Sequence, residues 1–363
     1  MGNYNLTKMA VKMFFPGNAV QLDDAGLPSL LVFIPAFKNS DVLTGGDDSI
    51  HPAFIVNGVQ IAGFYISKYQ NRLYNGLAYS LPAEDPQAAV SFDAAREYCE
   101  AKGYGWHLTT AAEWAAIALW CKKNGVLPLG NNSRGQDIGE GDDMAIMTTY
   151  DSDGVHRVAT GTGPMTWSHD RNLEGIWDMN GNVWEWLGGI RLVWGELQIL
   201  AHNDAVDVDN PQNETSVCWK AINAADGTLV DPECTVADTA AKSSGSTVKL
   251  DYLGGVWTYA IGVTDASAEA RSCAFGNIAS ASTVGEAAKV VLRSLALLPD
   301  EGAAAEEYEG SLVALANGAA EQCIYRGGSW TDGEGAGLYS MQSNTRAFAD
   351  EFVGFRAAFV RNI

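Results

Sequence analysis

Positive charge is scarce in this chain: 23 Lys and Arg stand against 44 Asp and Glu in 363 residues, a formal charge of −21. A field of that sign repels phosphate backbones and anionic headgroups, which excludes nucleic acid and acidic membrane surfaces as natural partners. The six cysteines (Cys99, Cys121, Cys218, Cys234, Cys273, Cys323) form no Cys-x-x-Cys pair, so zinc-ribbon and thioredoxin-type motifs are excluded. The five histidines show no H-x-x-H or H-x-x-x-E grouping, and Asp151-Ser-Asp-Gly154 lacks the downstream Glu of an EF-hand and reads as a turn. No apolar run approaches the roughly 18 residues of a membrane span, and residues 1–15 have no signal-type apolar core. A soluble chain with no membrane insertion and no Sec-type signal is expected.

What is abundant is glycine (39), tryptophan (11) and tyrosine (13), with 47% apolar residues overall. That mix suits a turn-rich fold built around aromatic anchors and is too apolar for a disordered acidic chain. Residues 27–37 and 54–69 read as strands. Ser91 caps a helix whose Phe92, Ala95 and Cys99 share a face, ending near Gly103. Thr110 and Glu113 have capping-box spacing before Trp114, Ile117, Ala118 and Cys121, and Gly125 ends that run. Thr283 and Glu286 suggest a third helix, running to Pro299. The stretch 200–322 is Ala-, Ser- and Asp-rich and carries no internal repeat.

Three short stretches concentrate Gly and Trp: Asp178-Met-Asn-Gly-Asn-Val-Trp-Glu-Trp186, Arg326-Gly-Gly-Ser-Trp330 and Val353-Gly-Phe-Arg-Ala357. The glycines permit tight turns and the rings anchor loops, while Arg326 and Arg356 are placed to donate to buried carbonyls. Together with Val90-Ser-Phe-Asp-Ala-Ala-Arg-Glu-Tyr-Cys99 and His107-Leu-Thr-Thr-Ala-Ala-Glu-Trp114, these motifs occur in the order found in the formylglycine-generating-enzyme-like (sulfatase-modifying factor) superfamily, which the chain resembles from about residue 31 to 360. The resemblance implies an α+β, C-type-lectin-type fold: a small twisted antiparallel sheet, two helices and extensive loops. Residues 1–26 are then an N-terminal extension, and 27–363 a single domain with an insertion at about 200–322.

Catalytic members of that superfamily carry a reactive cysteine pair between the Arg-Gly-Gly-Ser and Gly-Phe-Arg motifs, where this chain has none. The thiolates are both metal ligands and redox groups, so no enzyme activity and no required cofactor are expected. The C-terminus, at about 326–358, instead resembles the variable region of a diversity-generating-retroelement variable protein, in which adenine-directed copying errors exchange surface side chains. Thr331, Asp332, Ser340, Asn344, Thr345, Phe348, Asp350 and Phe352 are reachable from a randomised Asn codon; Glu334 and Gln342 need another adenine-containing codon. These ten residues are expected to form one exposed ligand-binding patch with Phe348 and Phe352 as anchors, the alternative being that both rings belong to the core. The implied partner is a protein or other macromolecule, on a cell surface, and the implied setting is a phage virion or bacterial surface. A divergent oxidase and an invariant phage tail component are the competing readings. The resemblance also implies a structural calcium on Asp178, Gly181, Val183 and Glu185, with Glu185 serving only loop amides as the alternative.

Overall fold

A computed structural model describes residues 3–141 and 144–361. The architecture is α+β, with two main sheets. The smaller is antiparallel and five-stranded, in the order Asn18–Leu22, Pro28–Pro35, Gly63–Ser67, Ala357–Phe359, Trp106–Leu108. Alternation along its strands divides the core: Leu31, Trp106, Leu108 and Phe359 meet Phe92, Ala95 and Cys99, whereas Val32, Phe64, Ile66 and Ala358 meet Trp114 and Ile117. The two helices, Phe92–Glu100 and Ala111–Asn124, therefore cover opposite faces of this sheet.

Local chemistry explains both helices. The Ser91 hydroxyl accepts from Ala94 N–H; Thr110 and Glu113 satisfy each other's orphan amides; and Gly125 stops the second helix at φ 66°. The third helix is shorter than expected. It spans Glu286–Ser294 with Gly285 at its N-cap, so Thr283 makes no cap. Asp151-Ser-Asp-Gly154 turns a two-residue hairpin. Cys99 and Cys121 are buried, and all six cysteines are free thiols.

The larger sheet has twelve strands, with Gly337–Asn344, Gln322–Gly327 and Trp184–Val193 adjacent in its middle. Strands of the 200–322 stretch extend the same sheet, and the first strand of the smaller sheet lies inside residues 1–26. The C-terminal motif ties the sheets together: Val353–Gly354 pairs with Trp184 and Glu185 in the large sheet, and Ala357–Phe359 lies in the small one.

His51 joins the Glu286–Ser294 helix to the N-terminal half. Its Nε2–H donates to Ser294 O at 2.7 Å, and Nδ1 accepts from Ala53 N–H at 3.2 Å. Burial holds the ring's pKa down at about 4. Because the folded value lies below the ordinary one near 6.5, this contribution to stability is complete above pH ~6.5 and is lost as pH falls toward 4. His169, buried and also held at about 4, acts in the same direction. Urea unfolding at pH 7 and pH 4.5 should show the loss, about 2 kcal/mol for His51, with His51→Gln flattening part of the slope. An equal slope in that variant would contradict the assignment.

Candidate functional site

The C-terminal segment forms a surface over an aromatic floor. Tyr325 and Trp330 are buried, and Tyr325 packs edge-on to Trp184 and Trp186 at 5.5 and 4.8 Å. Phe348 lies nearly parallel to Tyr325 at 6.4 Å, and Phe352 lies nearly parallel to Trp330 at 4.5 Å, so both rings are half-buried. Each packs against a core cluster while staying partly exposed, so neither ring is wholly a core residue. Burial, with the Asp332 and Asp350 carboxylates nearby, pushes the Tyr325 phenol up to about 12, so it stays a neutral donor. Its hydroxyl donates to Gln342 Oε1 at 3.3 Å.

Gln342, Asn344, Phe348, Asp350, Phe352 and Asp332 thus gather around Tyr325 and Trp330, each half-exposed, with Thr345 exposed beside them. Thr331 and Glu334 are exposed too, on the turn after Trp330. Ser340 does not belong to the patch. It shares a strand face with Gln342 and Asn344 but is fully buried deeper in the large sheet, its hydroxyl donating to Gly337 O at 2.6 Å.

The backbone beneath these side chains is anchored from outside the segment. Phe92 N–H donates to Arg346 O (3.2 Å), Ala89 N–H to Asp350 O (2.9 Å) and Trp184 N–H to Phe352 O (2.8 Å). Arg346 adds a side-chain clasp, donating to both Glu321 oxygens at 2.9 Å, to Asp93 at 2.6 Å and to Gln212 O at 3.0 Å. Sequence reasoning did not single out Arg346. Its partners lie up to 253 positions away, so no local pattern marks it. Asp332 and Asp350 make short-range bonds, to Ser329 and Phe352 N–H, while the Asn344 side chain accepts from Thr345 N–H and also reaches the Tyr325 hydroxyl. Phe352→Ala is expected to cost about 1–2 kcal/mol and Thr345→Ala less than about 0.5 kcal/mol in urea unfolding. Equal costs would remove the distinction between anchor and free surface position.

The expected calcium site has a different occupant. Gln70 Nε2 lies 3.0 Å from Asp178 O, 3.3 Å from Gly181 O, 3.0 Å from Val183 O and 3.1 Å from Glu185 Oε1. The amide cannot be turned around, because Gln70 Oε1 accepts from Asn182 Nδ2 at 3.0 Å. Glu185 is already neutralised: the Arg356 guanidinium donates to its two oxygens at 2.8 and 2.9 Å. The Asp178 carboxyl turns instead to Gly161 N–H, and burial pushes its pKa up to about 7. These residues do not fit Ca²⁺. Nor does Glu185 serve loop amides; its partners are side chains.

Residues 53–190 match the family model described as the sulfatase-modifying factor enzyme 1-like domain. Among solved structures, the chain is similar to PvdO from Pseudomonas aeruginosa at 14% identity, over 94% of this chain and 97% of that one, with a TM-score of 0.36. It is similar to CarF at 12% identity over 84% and 88% of the two chains, TM-score 0.32. Treponema denticola variable protein 1 aligns at 11% identity over 94% and 98%, TM-score 0.32. No curated protein matches it in sequence. The α+β architecture is of the formylglycine-generating-enzyme-like, C-type-lectin type, and no helix among the described residues is long and apolar enough to cross a membrane.

Proposed function

We propose that this sulfatase-modifying-factor-type scaffold recognises a ligand, with the exposed side chains of residues 331–352 as its contact surface and a retroelement as the source of their variation. The observation that carries the reading is the anchoring of the 346–352 backbone by Ala89, Phe92 and Trp184 amides. Side chains on a backbone held from outside can be exchanged without loss of the fold, which is what a diversified binding surface needs. Trp330 and Tyr325 supply a rigid floor, and half-exposed aromatic edges supply desolvated contact area. Arg346 is spent on Glu321 and Asp93, so Asp332, Glu334, Asp350 and Glu351 leave the face acidic. A macromolecular partner with a basic or neutral patch is favoured, such as a protein on a cell surface.

The oxidase reading has less support. Burial pushes the thiols of Cys99, Cys121, Cys234 and Cys323 up, Cys234 to about 11, which keeps them protonated and poor as nucleophiles or metal ligands. The test is a displayed library randomised at Gln342, Asn344, Thr345, Phe348, Asp350 and Phe352. Most members should fold, and selection on an unrelated protein should yield binders. A library that folds and yields none, or that mostly fails to fold, contradicts the proposal.

A further inference from the structure

The Asn3–Phe14 helix presents its apolar side to solvent. At 100° per residue, Leu6, Met9, Ala10, Met13 and Phe14 fall within about 140° of arc. Leu6, Met9, Met13 and Phe14 are 68%, 65%, 71% and 70% exposed. The side facing the body is the poorer one, where Tyr4, Lys8 and Val11 are half-buried. A stripe of four large apolar side chains left in water is the mark of a surface that is covered in use.

The residues that follow the helix are tied to the body. Phe15 N–H donates to Val11 O, Asn18 N–H to Phe15 O, Gly17 N–H to Glu174 Oε2 at 2.6 Å and Asn18 Nδ2 to Glu174 O at 2.5 Å.

At the foot of the helix lies an open groove of about 360 Å³ with an apolar floor that includes Phe33, Phe37 and Trp120. Phe33 is 36% exposed there. Asp170 and Glu174 line its rim. The first 22 residues of the chain hold Lys8 and Lys12 and no acid, within a chain of charge −21.

We propose that the Asn3–Phe14 helix of one copy seats its apolar stripe in this groove of a second copy, with Lys12 toward Asp170, and that the exchange is reciprocal. Charge selects this arrangement. Stripe-on-stripe packing of two helices would bring the exposed Lys12 of each copy together with no acid between them, whereas the groove has two carboxylates, Asp170 and Glu174, against one nearby cation, Lys68, beside an apolar floor. An anionic membrane would face the −21 body. Reciprocity uses each helix and each groove once, closes as a two-fold dimer and doubles the buried area toward the roughly 1,200–2,000 Å² of stable interfaces.

The test is sedimentation of the full chain over roughly 1–100 µM, a span that covers micromolar affinities. The wild type should be dimeric at the upper end. Leu6→Glu with Met13→Glu on the helix, and separately Phe33→Glu in the groove, should each give monomers with unchanged near-UV circular dichroism. The decisive arm mixes the two variants: one retains its groove and the other its helix, so a heterodimer held by one exchange should form, at least tenfold weaker than the wild type. A wild type that stays monomeric, a Phe33→Glu chain that stays dimeric, no heterodimer on mixing, or co-flotation of the wild type with phosphatidylserine vesicles would each overturn the proposal.

Discussion

Arg356→Ala should destabilise the fold by about 3–5 kcal/mol, the range for removing one partner of a buried ion pair. The side chain is fully buried. It grips Glu185 of the large sheet through two bonds and donates to Ser67 O at the end of a small-sheet strand and to Trp177 O. The truncation therefore strands a buried carboxylate, orphans two carbonyls and cuts the side-chain link between the sheets. Arg356→Lys keeps the charge but cannot reproduce the planar fork, and should recover only part of the loss. Urea midpoints for the two variants check the ordering; near-neutral Arg356→Ala would show that the backbone pairing of 353–359 alone holds the sheets together.

Gln70→Ala should cost about 2–4 kcal/mol, because its two N–H protons are shared among Asp178 O, Gly181 O, Val183 O and Glu185 Oε1, and because Asn182 Nδ2 loses one of its two acceptors and keeps only Val158 O. Water entering the vacated volume would offset part of the loss, and Arg356 still covers Glu185, which sets the upper end. The same geometry predicts that neither millimolar Ca²⁺ nor a chelator shifts the melting temperature of the wild-type protein. The carboxamide and the guanidinium together do what a divalent cation would do, drawing carbonyls and a carboxylate to one point. A melting temperature that rises with Ca²⁺ and falls with chelator would contradict that assignment.

The features legible in the sequence were those whose causes are local. Ser91, the Thr110 and Glu113 pair, and Gly125 each act within four residues, and the two helices they bound stand where their apolar periodicity put them. The Glu286–Ser294 helix departs at its start, where Gly285 takes the cap position and Thr283 lies outside. Within the candidate surface, codon reachability placed Ser340 among exposed positions; its depth in a twelve-stranded sheet depends on which strands flank it, and those are 312–315 and 322–327. Gln70 and Arg346 were invisible for the same reason, since their partners are brought close only by the finished fold. The motif triad around Glu185, Arg326 and Arg356 lies between these cases: Arg326 does donate to a buried carbonyl, Ala296 O at 2.7 Å, but that Arg356 also clasps Glu185 could not be read from either motif alone.

The proposed binding surface requires exchangeable side chains on a fixed backbone, and the gene itself holds the most direct record. Deep sequencing of its 3′ end and of the adjoining DNA across many cells of the source population should find differences concentrated in codons for exposed and half-exposed positions between Thr331 and Phe352. It should also find a nearby near-copy differing at adenines beside a reverse-transcriptase gene, and Trp330, Phe355 and Arg356 should not vary. An invariant 3′ end with no such copy, or changes scattered evenly through the buried scaffold, would contradict it.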